Sequence, residues 1–164
     1  MEIEIKFATS DHLPQILDIV NHYIQHDTCI YDIEPRTQKI QLEWFENQQK
    51  NGYPVIVALR DQEIIGYASY SLFRPKVGYK FSMEHSIYLK SNQLFRGTGT
   101  LLMNQLIELA KENNIHSLIG GIDANNSKSI QFHEKFGFNV VGRMNEVGFK
   151  FNRWLDLVWM QKII

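Results

Sequence analysis

Residues 94–114 read LFRGTGTLLMNQLIELAKENN, and their reading decides the fold. Gly97 and Gly99 sit two apart behind Arg96. A run of helix formers follows, with Leu102, Leu106, Leu109 and Ala110 on one face. Glycine counted inside a helix costs about 1 kcal/mol relative to alanine, so its place at the front of one asks for a reason. Two reasons are open. One is a plain tight turn; the other is an anion that touches bare backbone where unpaired N–H groups and the helix dipole are positive. The stretch is not a P-loop, because no G-K-[ST] follows, and not a full G-x-G-x-x-G, because position 102 is leucine. Strand patterns flank it, FSMEHSIYLK (81–90) before and HSLIGGI (116–122) after. A strand–helix–strand unit of this length requires a parallel crossover, so the centre of the chain is α/β.

Toward the N-terminus, IEIKFA (3–8) alternates as a short strand, and Asp11 is the expected cap of a helix carrying Leu13, Ile16, Leu17, Val20 and Ile24. TCIYDIEPRT (28–37) is a loop ending on a second cap, Thr37. The helix behind it, 38–52, is expected to turn Ile40, Trp44 and Phe45 inward and to stop at Gly52. YPVIVAL (53–59) and EIIGYASYSLF (63–73) then switch to period two, and their spacing predicts a hairpin. Toward the C-terminus, NSKSIQFHEKFG (126–137) is a helix closed by glycine, and FNVVGRM (138–144) and RWLDLVWMQKI (153–163) are strands. No repeat, low-complexity stretch or linker divides the chain, so residues 1–164 are expected to form a single domain of α/β (α+β) class around a mixed sheet.

A formal net charge of −1 gives no electrostatic surplus for nucleic acid or an anionic membrane, so neither is expected as a partner. No apolar run approaches the roughly 20 residues a spanning helix needs. The lone Cys29 and an N-terminus without signal-peptide features point to a reducing, cytoplasmic setting. His22 and His26 are four apart, but no HExxH and no third ligand accompany them, so no metal is expected.

A second constellation changes the weight of the glycine turn. NNSKSIQFHEKFGF (125–138) places Asn126, Ser129, His133 and Gly137 in a helix that runs into a strand. Together the two stretches resemble the GCN5-related N-acetyltransferase (GNAT) superfamily. Its phosphate loop reads Q/R-x-x-G-x-G/A and its later helix N-x-x-[SA]-x-x-[FL]-Y-x-K-x-G-F. YPVIVAL, GYASYSLFRPKVGY, MEHSIYL, RGTG, NSKSIQFHEKFGF and EVGFKFNRWLDLVWMQ, in that order, resemble its phosphinothricin acetyltransferase branch from about Ile5 to Gln161. The resemblance implies a GNAT fold, a mixed sheet of six to seven strands flanked by about four helices. It also implies acetyl-CoA as co-substrate and a homodimer. The implied amine is small and amino-acid-like, of the phosphinothricin, methionine sulfoximine or methionine sulfone type. Two departures stand out: the family's Gln or Arg falls on Leu94, between Gln93 and Arg96, and its helix tyrosine is His133.

Acetyl transfer to an amine needs a base for the ammonium, donors for the developing oxyanion and a proton for the leaving thiolate. Glu84 shares a strand face with Ser86 and Tyr88, and apolar neighbours Phe81, Met83 and Ile87 would raise its pKa. The residues alone leave a solvated strand charge as the alternative; the resemblance implies the base, direct or through water. The resemblance likewise makes His133 the acid. It assigns the main chain of Ile87, Tyr88 and Leu89 to the oxyanion and pantetheine, and Phe95, Arg96, Gly97, Thr98, Gly99 and Thr100 to the diphosphate. Asn126 and Ser129 would contact the pantetheine arm, although Asn126 is equally a helix cap. Arg74, whose guanidinium forks well onto a carboxylate or phosphinate, and Tyr79 and Tyr31 are the expected substrate contacts. Strand alternation accounts for Lys150 and Arg153, and packing or a dimer contact for Trp154 and Trp159. Other readings are a protein N-terminal, lysine or other small-amine acetyltransferase, and an acyl-CoA-binding module without turnover.

Overall fold

A computed structural model of the chain describes residues 2–91 and 96–164. In chain order the elements are β1 (Glu4–Phe7), α1 (Leu13–His26), α2 (Gln38–Lys50), β2 (Val55–Arg60), β3 (Glu63–Leu72), β4 (Ser82–Leu89), α3 (Thr98–Glu112), β5 (Ser117–Asp123), α4 (Ser127–Lys135), β6 (Asn139–Lys150) and β7 (Arg153–Ile163). Among the described residues the strands form one seven-stranded sheet in the order β1-β2-β3-β4-β5-β7-β6. Every neighbouring pair is antiparallel except β4 with β5, which is parallel, as the α3 crossover requires.

Period two explains how the sheet serves two cores. Four consecutive residues of β2, Val55 to Ala58, are buried. Ile56 and Ala58 belong to the cluster that takes Leu102, Met103 and Leu106 of α3. Val55 and Val57 belong to the cluster with Leu13, Ile16 and Val20 of α1 and Phe45 of α2. A central strand covered on both faces reads as an unbroken apolar run for this reason.

Two local expectations are corrected. The α1 entry is capped by Thr9, not Asp11: a 3₁₀ turn at Ser10–His12 precedes the helix, and Thr9 N donates to His12 Nδ1 at 3.0 Å. On α2 Phe45 is buried and Trp44 packs on the same cluster as expected, but Ile40 is half exposed and Gln41 and Gln48 are buried in its place. Gln48 reaches the sheet by donating to the Tyr70 carbonyl at 3.1 Å, so a hydrogen bond sets the angle of this helix that apolarity alone did not predict. The Thr37 and Asn126 caps are as expected, with Thr37 Oγ1 accepting from Ile40 N at 3.2 Å and Asn126 Oδ1 from Ser129 N at 3.0 Å.

The feature that places the site is a split in the sheet. β4 and β5 are in register only at Ser82↔Ser117, Met83↔Leu118 and Glu84↔Ile119. Beyond Glu84, β4 stays paired with β3 as far as Leu89, while β5 follows β7 to Asp123. Bonds from Phe73 N to Ser82 O (3.0 Å) and from Lys90 N to Ile65 O (2.9 Å) fix the alternation along β4. Even-numbered residues turn their main-chain groups to β3, and odd-numbered ones, Ile87 and Leu89 included, turn theirs to the split.

Candidate active site

The split opens into a cleft of about 560 Å³ whose wall includes Tyr31, Glu84, Tyr88, Asp123, Asn126 and His133. Ile87 and Leu89 also border it. The register of β4 directs their N–H groups into the cleft and that of Tyr88 to β3, so of the three expected main-chain contacts two face the opening. The Leu89 carbonyl is already taken by Tyr23 Oη at 2.8 Å. That leaves the Leu89 amide and the Ile87 amide and carbonyl as the groups of β4 aimed at a guest.

Glu84 stands at the apex, on the last residue of the parallel register. Its Oε1 lies 3.5 Å from where a Cβ on Gly121 would be, so the carboxylate packs beside this glycine, whose tighter neighbour is the Trp159 ring at 3.2 Å. Burial raises its pKa, and Arg74 opposes the shift, which puts the guanidinium within electrostatic reach of the carboxylate. Arg74 lies over the Phe73 ring at 4.8 Å, and Phe73 packs edge-on to Tyr79 (6.0 Å) and Trp159 (5.6 Å). Arg74 and Tyr79 therefore share the Phe73 ring on the Glu84 face of the sheet, but, unlike Tyr31, neither lines the cleft. Tyr31 comes from another direction: its ring packs on Gly148, where a Cβ would lie 2.5 Å from it, and its hydroxyl donates to the Asp156 carbonyl at 3.3 Å.

His133 enters from α4 on the opposite face. Its Nδ1 meets the Ser129 carbonyl at 2.7 Å, and its Nε2 meets Nε2 of His85 at 2.9 Å. Burial lowers the pKa of both rings, that of His85 to about 3. Gly120 packs tightly here, since a Cβ there would sit 3.0 Å from His85 Cε1 and the ring would have to give by a few tenths of an ångström.

The two glycines at the front of α3 differ. Gly97 has φ +93°, a left-handed conformation open to glycine, and precedes the helix. A Cβ on Gly99 would meet the Phe132 ring at 3.4 Å, an ordinary contact, so neither space nor φ demands glycine there. The main-chain bond from Leu101 N to Gly97 O measures 3.0 Å, so the Gly99 and Thr100 amides lie ahead of it at the positive end of α3. Arg96 and Thr98 flank the same turn, with Thr98 buried. Phe95, Leu94 and Gln93 lie outside the described residues.

The chain matches the model of the Acetyltransferase (GNAT) domain over residues 5–159. It belongs to the GNAT acetyltransferase family. Over 162 residues it is 38% identical to an L-methionine sulfoximine/L-methionine sulfone acetyltransferase of Pseudomonas aeruginosa, covering 98% of this chain and 94% of the relative. A GNAT phosphinothricin acetyltransferase from Sinorhizobium meliloti, solved in complex with AcCoA, superposes with a TM-score of 0.96 at 31% identity, covering 100% of this chain and 89% of that one. A ribosomal-protein-alanine N-acetyltransferase from Brucella melitensis superposes at 0.96 with 42% identity, covering 98% and 99%.

Two residues of this GNAT cleft, His85 and Asp123, carried no signal in the sequence, and Lys150 behind it was read only as strand alternation. His85 pairs with a residue 48 positions away. Lys150 is 3% exposed and donates from Nζ to the carbonyls of Asp27 (2.7 Å) and Ile30 (2.6 Å), so it staples the loop that carries Tyr31. Strand alternation placed it correctly on a face but could not name what it holds. Asp123 is 3% exposed; its Oδ1 accepts from Asn125 N at 2.9 Å, which sets the turn into Asn126. Cys29 also borders the cleft, but burial, with Asp27 adding to it, pushes its thiol up to about 12, which leaves no nucleophilic thiolate. Among the described residues no group of three or more His, Cys, Asp or Glu is placed to hold a metal.

Proposed function

We propose that this GNAT acetyltransferase moves the acetyl group of acetyl-CoA to the α-amino group of a small amino acid of the methionine sulfone, methionine sulfoximine or phosphinothricin type. The observation that carries the reading is Glu84: a half-buried carboxylate at the apex of the split, with Arg74 within electrostatic reach. A zwitterionic amino acid offers both groups a partner, its carboxylate to Arg74 and its ammonium to Glu84. The donor fits the site. The amides and carbonyl that β4 turns to the cleft would pair an extended pantetheine arm, and the Gly97 turn with the front of α3 would hold the diphosphate. The acetyl thioester supplies an activated carbonyl.

In this reading Glu84 removes the ammonium proton, directly or through a water. The Ile87 and Leu89 amides, aimed by the register of β4, orient the carbonyl and stabilise its developing charge. Asn126 and Ser129 border the arm from α4, and His133 is the proton source on the thiolate side. Tyr31 and Tyr79 complete the amine side. The exposed apolar residues Val140, Val141, Met144, Val147 and Phe149 line the long edge strand β6, and we propose that a second copy of the chain covers them.

The Brucella relative supports a second reading, the amino-terminal alanine of a protein. A thiol-release assay with acetyl-CoA separates the two. Methionine sulfone, methionine sulfoximine and phosphinothricin are expected to turn over well above alanyl peptides. A preference for the peptides would replace the proposal with the second reading, and no thiol release from either would leave an acyl-CoA-binding module.

A further inference from the structure

Heavy-atom positions, with both rings neutral, assign the hydrogens of the two cleft imidazoles. His133 Nδ1 faces the Ser129 carbonyl oxygen at 2.7 Å, and that oxygen only accepts, so Nδ1 carries a hydrogen. In a neutral ring His133 Nε2 is then bare. The 2.9 Å contact with His85 Nε2 needs one hydrogen between two nitrogens, and it resides on His85. His85 Nδ1 is left bare. That atom is buried and makes no hydrogen bond among the described residues; the Ile119 main chain is the one neighbour that favours a proton on this ring, and burial outweighs it. Every ring nitrogen is accounted for with no net charge.

We infer that His85 is a positioning residue: its Nε2–H holds His133 as the neutral Nδ1–H tautomer and fixes that ring against the split. Its consequence for turnover rests on the acetyl-transfer reading above: His133 is not a standing imidazolium, and it protonates the thiolate only after the pair has gained a proton. The surroundings agree. The rings of Phe132 and Phe138 lie 5.5 and 5.3 Å from His133, and Phe138 is 5.0 Å from His85. From β5 the facing residue is Gly120, and the Ile119 main chain is the group that favours a proton on His85. Glu84, and Asp123 two residues beyond Gly121, alternate to the other face of the sheet. Of the charged residues of α4, Lys128 borders the cleft, while Glu134 and Lys135 are at its solvent side. Burial lowers both imidazoles, as a neutral pair requires.

The test is nitrogen-detected NMR of the histidine rings in the whole enzyme, without substrate. His133 should show a protonated Nδ1 and bare Nε2, and His85 the reverse, unchanged between about pH 5.5 and 8.5. A His133 that titrates in that window, the opposite tautomers, or an extra proton shared by the pair overturns the inference. His85→Ala and His85→Gln supply the kinetic arm with acetyl-CoA and methionine sulfone. The alanine variant should lose about tenfold in kcat and gain a new ionisation in its kcat–pH profile. The glutamine variant, whose amide can donate to His133 Nε2, should recover most of the loss. A folded alanine variant with the wild-type profile overturns the inference. If the alanine variant does not fold, the wild-type spectrum still decides. Wild-type enzyme without acetyl transfer would sink the functional reading alone, because the ring spectra need no turnover.

Discussion

Glu84 answers two opposing demands. Burial favours its neutral form and Arg74 its charged form, with burial the larger effect. A base must be ionised to work, so kcat is expected to fall as pH drops through this raised pKa, at a higher pH than an exposed glutamate would show. The sign for stability is the reverse. A carboxyl whose folded pKa exceeds its unfolded value contributes stability at low pH, lost as pH rises through the folded pKa. Glu84→Gln should therefore cut kcat at least about 10²-fold, flatten the acid limb and leave acetyl-CoA affinity unchanged. It should also leave the melting temperature at pH 7 equal or higher. Steady-state kinetics, calorimetric titration and thermal melts check these, and full activity in the variant would end the assignment. The place of Glu84 on β4 was legible from the strand pattern. Its burial against Gly121 was not, because β5 is distant in sequence and only the sheet brings them together.

At the scale of elements, the loop between α1 and α2 is held as a rigid wall. Asn21 exchanges two bonds with the Arg36 main chain, at 2.9 and 2.8 Å, and Lys150 ties down the Asp27 and Ile30 carbonyls. Lys150→Met keeps length and apolar stem but strands two carbonyls, each costing about 1–3 kcal/mol if buried. The loop should loosen, raising KM for the amine about tenfold while acetyl-CoA affinity holds, because β4 and α3 are untouched. A melt that drops with no change in the amine KM would show Lys150 to be a stability residue alone. The elements themselves were mostly readable: caps at Thr37 and Asn126, the stop at Gly137 with φ +81°, and the apolar stripes of α1 and α3 are local signals. On α2 Phe45 and Trp44 were read correctly, but Gln41 and Gln48 were missed because they are buried polar residues, which periodicity counts as surface.

For the whole molecule, β6 is the decisive surface. It is a 12-residue edge strand with a run of exposed apolar side chains, and Phe149 packs edge-on against its cross-strand partner Trp154, with ring centroids 4.9 Å apart. Such an edge invites self-association. Phe149→Lys should turn a dimer into a monomer in sedimentation velocity with the circular dichroism spectrum unchanged; a monomeric wild-type protein at micromolar concentration would remove the dimer. The sequence by itself determined the crossover, the glycine turn at the front of α3 and the family, because these rest on residue type at short, fixed spacings. Only the tertiary structure decided the early parting of β4 from β5, the main-chain groups it turns to the cleft, and the His85–His133 and Lys150 contacts. Those depend on where separate strands and helices settle in space, and distances of a few ångströms between residues far apart in the chain leave no periodic mark in it.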